Sequence, residues 1–144
     1  MLILAIDPGM NGGIAWTLNN EVQAIKMPES PMDIYKRIKN IRNDQTVCFL
    51  ENVGGYVPGN SATAAVKFAR HIGNIEMALL ALNISTRIVT PVKWMKCLGA
   101  LPKNKKERKN KIKEKMQQLY PQLKITLATS DALGILTYGI NFLK

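Results

Sequence analysis

Histidine occurs once in this chain, at His71, and cysteine twice, at Cys48 and Cys97. So sparse a set, with no CxxC and no Cys–His spacing, excludes a zinc finger and a disulfide scaffold. Both cysteines stand among apolar neighbours in the sequence and read as reduced core residues. Long apolar runs are missing too. Nothing approaches the roughly 18 uninterrupted apolar residues of a membrane-spanning helix. The N-terminus carries no basic leader, and the run from Met1 to Ile6 is too short for a signal peptide. These absences point to a cytoplasmic chain. No internal repeat and no Pro/Ser-rich linker interrupts the 144 residues, so one domain over 1–144 is expected.

Acids are scarce as well. Asp and Glu number 10 against 20 Lys and Arg, a net charge of +10. Hydrophobic residues make up 47%, which excludes a disordered polyelectrolyte and leaves a globular chain with a basic surface. Such a surplus implies a polyanionic partner, most simply nucleic acid. An anionic membrane is the competing partner, but the basic amphipathic helix with a bulky aromatic face that it needs is absent.

Apolar patterning divides what is present into strands and helices. Leu2 to Asp7 reads as a buried strand, Gly12 to Leu18 as a second, and Asn19-Asn20 as a tight turn into a third, Val22 to Met27. Ser30 and Pro31 open a helix in which Ile34, Ile38 and Ile41 keep helical spacing. The run Thr46 to Leu50 suits a strand buried on both faces, and it ends at Glu51. Beyond the loop from Gly54 to Gly59, Asn60 or Ser61 caps a long helix to about Leu82. Gly73 within it is a local weakness that permits close packing. Ile84 to Val89 returns as a strand, Thr90-Pro91 starts a short helix, and a basic helix is expected from about Lys105. The last helix is expected to begin at Thr129 or Ser130 and to run to Phe142. This order implies an α/β fold, a mixed five-stranded sheet flanked by helices.

Three acids occupy the ends of these elements. Asp7 ends the first strand and opens the turn Asp7-Pro8-Gly9-Met10-Asn11-Gly12-Gly13, Glu51 ends the fourth strand, and Asp131 falls in the first turn of the last helix. Singly, each has an ordinary explanation as turn initiator, loop cap or helix N-terminal acid. Jointly they ask for another. If the first and fourth strands are neighbours, Asp7 and Glu51 emerge side by side and the last helix presents Asp131 opposite them. Carboxylates gathered in this way repel one another unless a cation screens them, and oxygen-only ligands suit Mg²⁺ or Mn²⁺. A pair of such ions is a standard device for in-line attack of water on a phosphodiester.

The same segments carry a resemblance. Ala5-Ile6-Asp7-Pro8-Gly9-Met10-Asn11-Gly12-Gly13-Ile14-Ala15 resembles the first strand and turn of RuvC-type Holliday junction resolvases, and Phe49-Leu50-Glu51 resembles that family's second acidic motif. Thr90-Pro91-Val92-Lys93 is similar to its later Pro-x-x-Lys/Trp segment, and Asp131-Ala132-Leu133-Gly134-Ile135 to its C-terminal Asp-Ala-Leu helix. The motifs follow the family's order over essentially the whole chain and are most like the compact phage-type members. The resemblance implies an RNase H-like fold and a homodimer. It also implies a metal-dependent endonuclease, in a bacterial or phage-infected cytoplasm, that makes paired nicks across four-way DNA junctions. Asp7, Glu51 and Asp131 carry over as ligands of Mg²⁺, two ions per site, with Mn²⁺ able to substitute. Where the family has a fourth acid or His, three residues before the last Asp, this chain has Ala128. That departure implies three acids assisted by water, reduced activity, or an inactivating substitution at this position.

Lys103, Lys105, Lys106, Arg108, Lys109, Lys111, Lys113 and Lys115 form a basic run, diluted only by Glu107 and Glu114, just before the last helix. A charge run is usually a solvated helix face, but this one is one-sided and suits the phosphates flanking a scissile bond. Lys109-x-x-Ile112 resembles the family's active-site lysine, which makes Lys109 the first choice for stabilising charge at the phosphate and Lys111 the second. Tyr56, the aromatic residue of the loop after Glu51, is the candidate for stacking on an unpaired base. Trp16 and Trp94 read as core residues. Three alternatives stand beside the resolvase. One is a junction-binding protein that cleaves weakly or not at all because of Ala128. Another is an RNase H-like nuclease acting on other branched DNA or on RNA–DNA hybrids. The third is an ATPase of the actin and sugar-kinase type, which needs two related domains that 144 residues do not supply.

Overall fold

The computed structural model describes residues 1–53 and 59–144. Its elements are β1 (Leu2–Asp7), β2 (Gly13–Leu18), β3 (Glu21–Lys26), α1 (Pro31–Ile41), β4 (Thr46–Glu51), α2 (Ala62–Ala81), β5 (Ser85–Val89), α3 (Pro91–Lys96), α4 (Lys105–Leu119) and α5 (Leu127–Leu143). The strands form one mixed sheet in the order β3-β2-β1-β4-β5. β1, β2 and β3 make an antiparallel meander, whereas β4 runs parallel to both β1 and β5. Asn19 and Asn20 close the β2–β3 hairpin with φ of 53° and 67°, the left-handed pair that a two-residue turn favours.

Period-two alternation decides which face each strand residue serves. Leu4 and Ile6 of β1, with Cys48 and Leu50 of β4, point to a layer built by α1 and α2 through Ile34, Ile38, Ile75 and Leu79. Ala5 and Phe49 point to the opposite layer, where α3, α4 and α5 contribute Trp94, Ile112, Met116, Leu133 and Leu136. Helices on both faces account for the unbroken apolar run of β4. α5 dominates the second layer and packs across β1, β2, β3 and β4.

Three local readings are corrected. α5 starts at Leu127 rather than at Thr129 or Ser130, because Thr126 is its N-cap. The Thr129 hydroxyl accepts from the Thr126 N–H at 3.1 Å, taking the part that Glu or Gln more often plays in a capping box. Asp131 consequently falls in the second turn. Gly73 permits no close packing, since a Cβ there would meet nothing within 4 Å. Cys97 is exposed at the C-cap of α3, a helix so short that Trp94 alone is buried, while Cys48 is core as expected.

Candidate active site

In the parallel β1–β4 pair Ile6 stands opposite Leu50, so Asp7 and Glu51 follow at the same edge of the sheet. Alternation sends both towards the Ala5 and Phe49 side, the face that α5 covers. There the three acids enter one another's field. Asp7 is pushed up to about 8, first by burial and then by the charges of Glu51 and Asp131. Glu51 is also raised, chiefly by burial, with a hydrogen bond from Trp94 acting against it. Burial raises Asp131, and Lys109 and then Arg108 oppose it. Among the described residues, Lys109 of α4 is the cation whose charge opposes the rise of all three acids.

The turn after Asp7 is held by distant parts of the chain. Gly9 adopts φ 117°, a conformation that side chains oppose, and its N–H donates to Nε2 of His71 on α2 at 2.8 Å. His71 therefore keeps its proton on Nδ1 and serves as an acceptor. At Gly13 a Cβ would stand 2.5 Å from the Ala128 carbonyl oxygen and 2.8 Å from that of Ile25. The missing side chain lets the first turn of α5 rest on the hairpin, which sets the height of Asp131 above Asp7. Sequence reasoning missed both His71 and Trp94 as site supports. Trp94 directly follows the Thr90–Lys93 motif segment and was read as a core residue, whereas a lone His at position 71 gave no signal.

The donor set fits a hard divalent cation. It offers only oxygen, its members repel one another, and Asp131 Oδ1 is buried with no hydrogen-bond partner. Among the described residues no group of Asp, Glu, His or Cys is drawn tightly enough to cage an ion alone. Water and substrate oxygens would complete the coordination, as is usual for Mg²⁺.

The remaining candidates fall in several places. Lys105, Lys106 and Lys109 line a hollow of about 350 Å³ with Asn110 and Leu127, where α4 meets the start of α5. Arg108 reaches back to the Lys103 carbonyl at 3.1 Å. Lys111, the second choice for the phosphate charge, pairs with Glu114 at 3.2 Å. Lys113 lies further along α4, beside Asn110 and Gln117. Ala128 is half-buried one turn before Asp131. Tyr56 lies outside the described residues.

No protein-family model matches the chain, and no curated protein matches it either. Solved structures do. Thermus thermophilus RuvC in complex with Holliday junction substrate superposes with a TM-score of 0.65 at 15% identity, covering 99% of this chain and 94% of that one. A second Thermus thermophilus RuvC structure gives 0.61 at 15% identity, covering 99% and 95%. Among the described residues no helix is long and apolar enough to cross a membrane. The five-stranded mixed sheet, its helical layers and these superpositions together give the chain the RNase H-like fold of RuvC Holliday junction resolvases.

Proposed function

We propose that this chain, as a single nuclease domain over 1–144, is a metal-dependent endonuclease that resolves four-way DNA junctions by paired nicks. The observation that carries the reading is the convergence of Asp7 and Glu51, at one sheet edge, with Asp131 of α5, all three within reach of the charge of Lys109. The fold shared with a RuvC solved on Holliday junction substrate supports the choice of branched DNA. Asp7, Glu51 and Asp131 would hold Mg²⁺, or Mn²⁺ in its place, and such ions when bound supply an activated water and a counter-charge for the leaving 3′ oxygen. Lys109 holds the scissile phosphate against the acids and offsets the charge that grows on it. Lys103, Lys105, Lys106, Arg108, Lys111 and Lys113 bind flanking phosphates without reading sequence. Tyr56 is assigned to stacking at the junction centre.

Paired nicks need two sites, hence a homodimer. Support for its surface comes from Met77, Leu80 and Ile88, which are 62%, 73% and 56% exposed beside an apolar groove of about 580 Å³ between α2 and β5. The compartment is the cytoplasm. The test is nicking of a mobile four-way junction with Mg²⁺, with Asp7→Asn as control and an RNA–DNA hybrid as the rival substrate. Junction binding without metal-dependent nicking sinks the nuclease reading.

Ala128 favours a second reading, a junction-binding protein with little cleavage. It sits three residues before Asp131 on α5, so its side chain shares that face of the helix. Restoration of nicking in Ala128→Asp would establish that a fourth ligand is what the natural chain lacks.

A further inference from the structure

Trp94 is the largest fully buried side chain among the described residues, and its indole N–H donates to Glu51 Oε2 at 2.5 Å. A buried indole N–H needs an acceptor, and here the acceptor is a carboxylate of the candidate site rather than a main-chain carbonyl of the core. The contact is produced by topology. Glu51 pairs with Val89 in the β4–β5 ladder, Thr90 caps α3 immediately afterwards, and the first turns of α3 bring Trp94 back over Glu51. The opposite side of the ring is received by α5. At Gly134 a Cβ would lie 2.5 Å from Trp94 Cζ3, so only a glycine leaves room for the indole there. Gly134 is three residues from Asp131 on that helix.

We infer that Trp94 is a positioning residue, a rigid strut that fixes the Glu51 carboxylate relative to α5 and hence to Asp131. An indole is a donor only and never titrates, so it holds one oxygen of an ionised Glu51 and cannot compete for a cation. Glu has three rotatable bonds, and a buried donor that locks one carboxylate oxygen steadies the group in its side-chain hydrogen bond with Asp7. Partners that orient a metal-ligating carboxylate act on affinity and rate without touching substrate. This inference rests on the nuclease reading above.

The decisive variant replaces Trp94 site-specifically with 3-benzothienylalanine, which puts sulfur in place of the N–H and keeps the ring's shape. Trp94→Phe is the second variant. Three quantities are read: the Mn²⁺ dissociation constant of the protein by calorimetry, junction affinity without metal, and thermal stability. The expected result is a rise of roughly ten- to a hundredfold in the Mn²⁺ constant, with junction affinity unchanged and the analogue as stable as wild type. The Mg²⁺ concentration for half-maximal nicking should rise in parallel. An analogue that binds Mn²⁺ like wild type overturns the inference, as does one that loses Mn²⁺ affinity, junction affinity and stability together. Wild-type protein that binds no Mn²⁺ overturns the nuclease reading, and this inference with it.

Discussion

A 2.8 Å hydrogen bond from the Gly9 N–H to His71 Nε2 ties α2 to the turn that follows Asp7. It survives only while the ring is neutral. Burial lowers the His71 pKa below its ordinary value, so protonation is less favourable in the folded chain than in the unfolded one. Stability from this group is complete above the unfolded pKa of about 6.5 and is lost as pH falls through the depressed folded value. Urea unfolding should therefore show a decline towards pH 5 that is smaller in His71→Leu. The variant itself should cost about 1–3 kcal/mol at neutral pH, since the Gly9 N–H loses its acceptor.

Removal of metal should expose the opposite pH dependence. Asp7 is raised from its ordinary 3.8 to about 8, so its contribution is complete below 3.8 and is lost as pH rises through 8. Glu51 and Asp131 move in the same direction. In EDTA the melting temperature should fall across that window, and the gain on adding Mg²⁺ should be largest at its alkaline end.

Asp7→Asn should separate activity from stability. Nicking should drop by at least about a hundredfold, equivalent to some 3 kcal/mol of transition-state stabilisation. The same variant removes the most strained charge of the cluster, so the metal-free protein should melt higher than wild type at pH 8. A lower melting point there would contradict the repulsion derived for the three acids.

Two lysines of α4 should respond differently. Lys109→Ala should lower the single-turnover nicking rate by about 10²-fold or more while junction affinity changes little, because its charge serves the reacting phosphate. Lys113→Ala should weaken binding evenly across junction sequences and reduce the salt slope by about 1, with the saturated rate intact. Rapid-quench kinetics and salt-titrated binding distinguish the two.

Gly13→Ala should be destabilising by about 1–3 kcal/mol through overpacking, since its Cβ would press on the main chain of both Ala128 and Ile25. The resulting shift of α5 should also weaken Mn²⁺ binding. Gly73→Ala, where nothing lies within 4 Å, is the control and should be neutral or stabilising.

Much of the architecture was legible because each strand announced itself in short range. Val47 to Leu50 is apolar on both faces, and Asn19-Asn20 demanded left-handed backbone at a hairpin. The start of α5 was not legible, because Thr126 and Thr129 cap it through a reciprocal arrangement that either residue alone would not reveal. For the site, the acids at the ends of β1 and β4 could be singled out from strand endings. Their supports could not. His71 meets Gly9 across 62 positions and Trp94 meets Glu51 across 43, contacts that exist only after the layers have docked.

The packing of α5 across four strands has a consequence for how the protein comes into being. The helix that shields Ala5, Ala15 and Phe49 is the last element of the order, so a nascent chain presents a bare sheet face until synthesis has passed it. Asp7 and Glu51 are made early, but Asp131 travels with that closing helix. On the nuclease reading, the three acids are united only with the completed core, and incomplete translation products would carry an acidic pair without its third member.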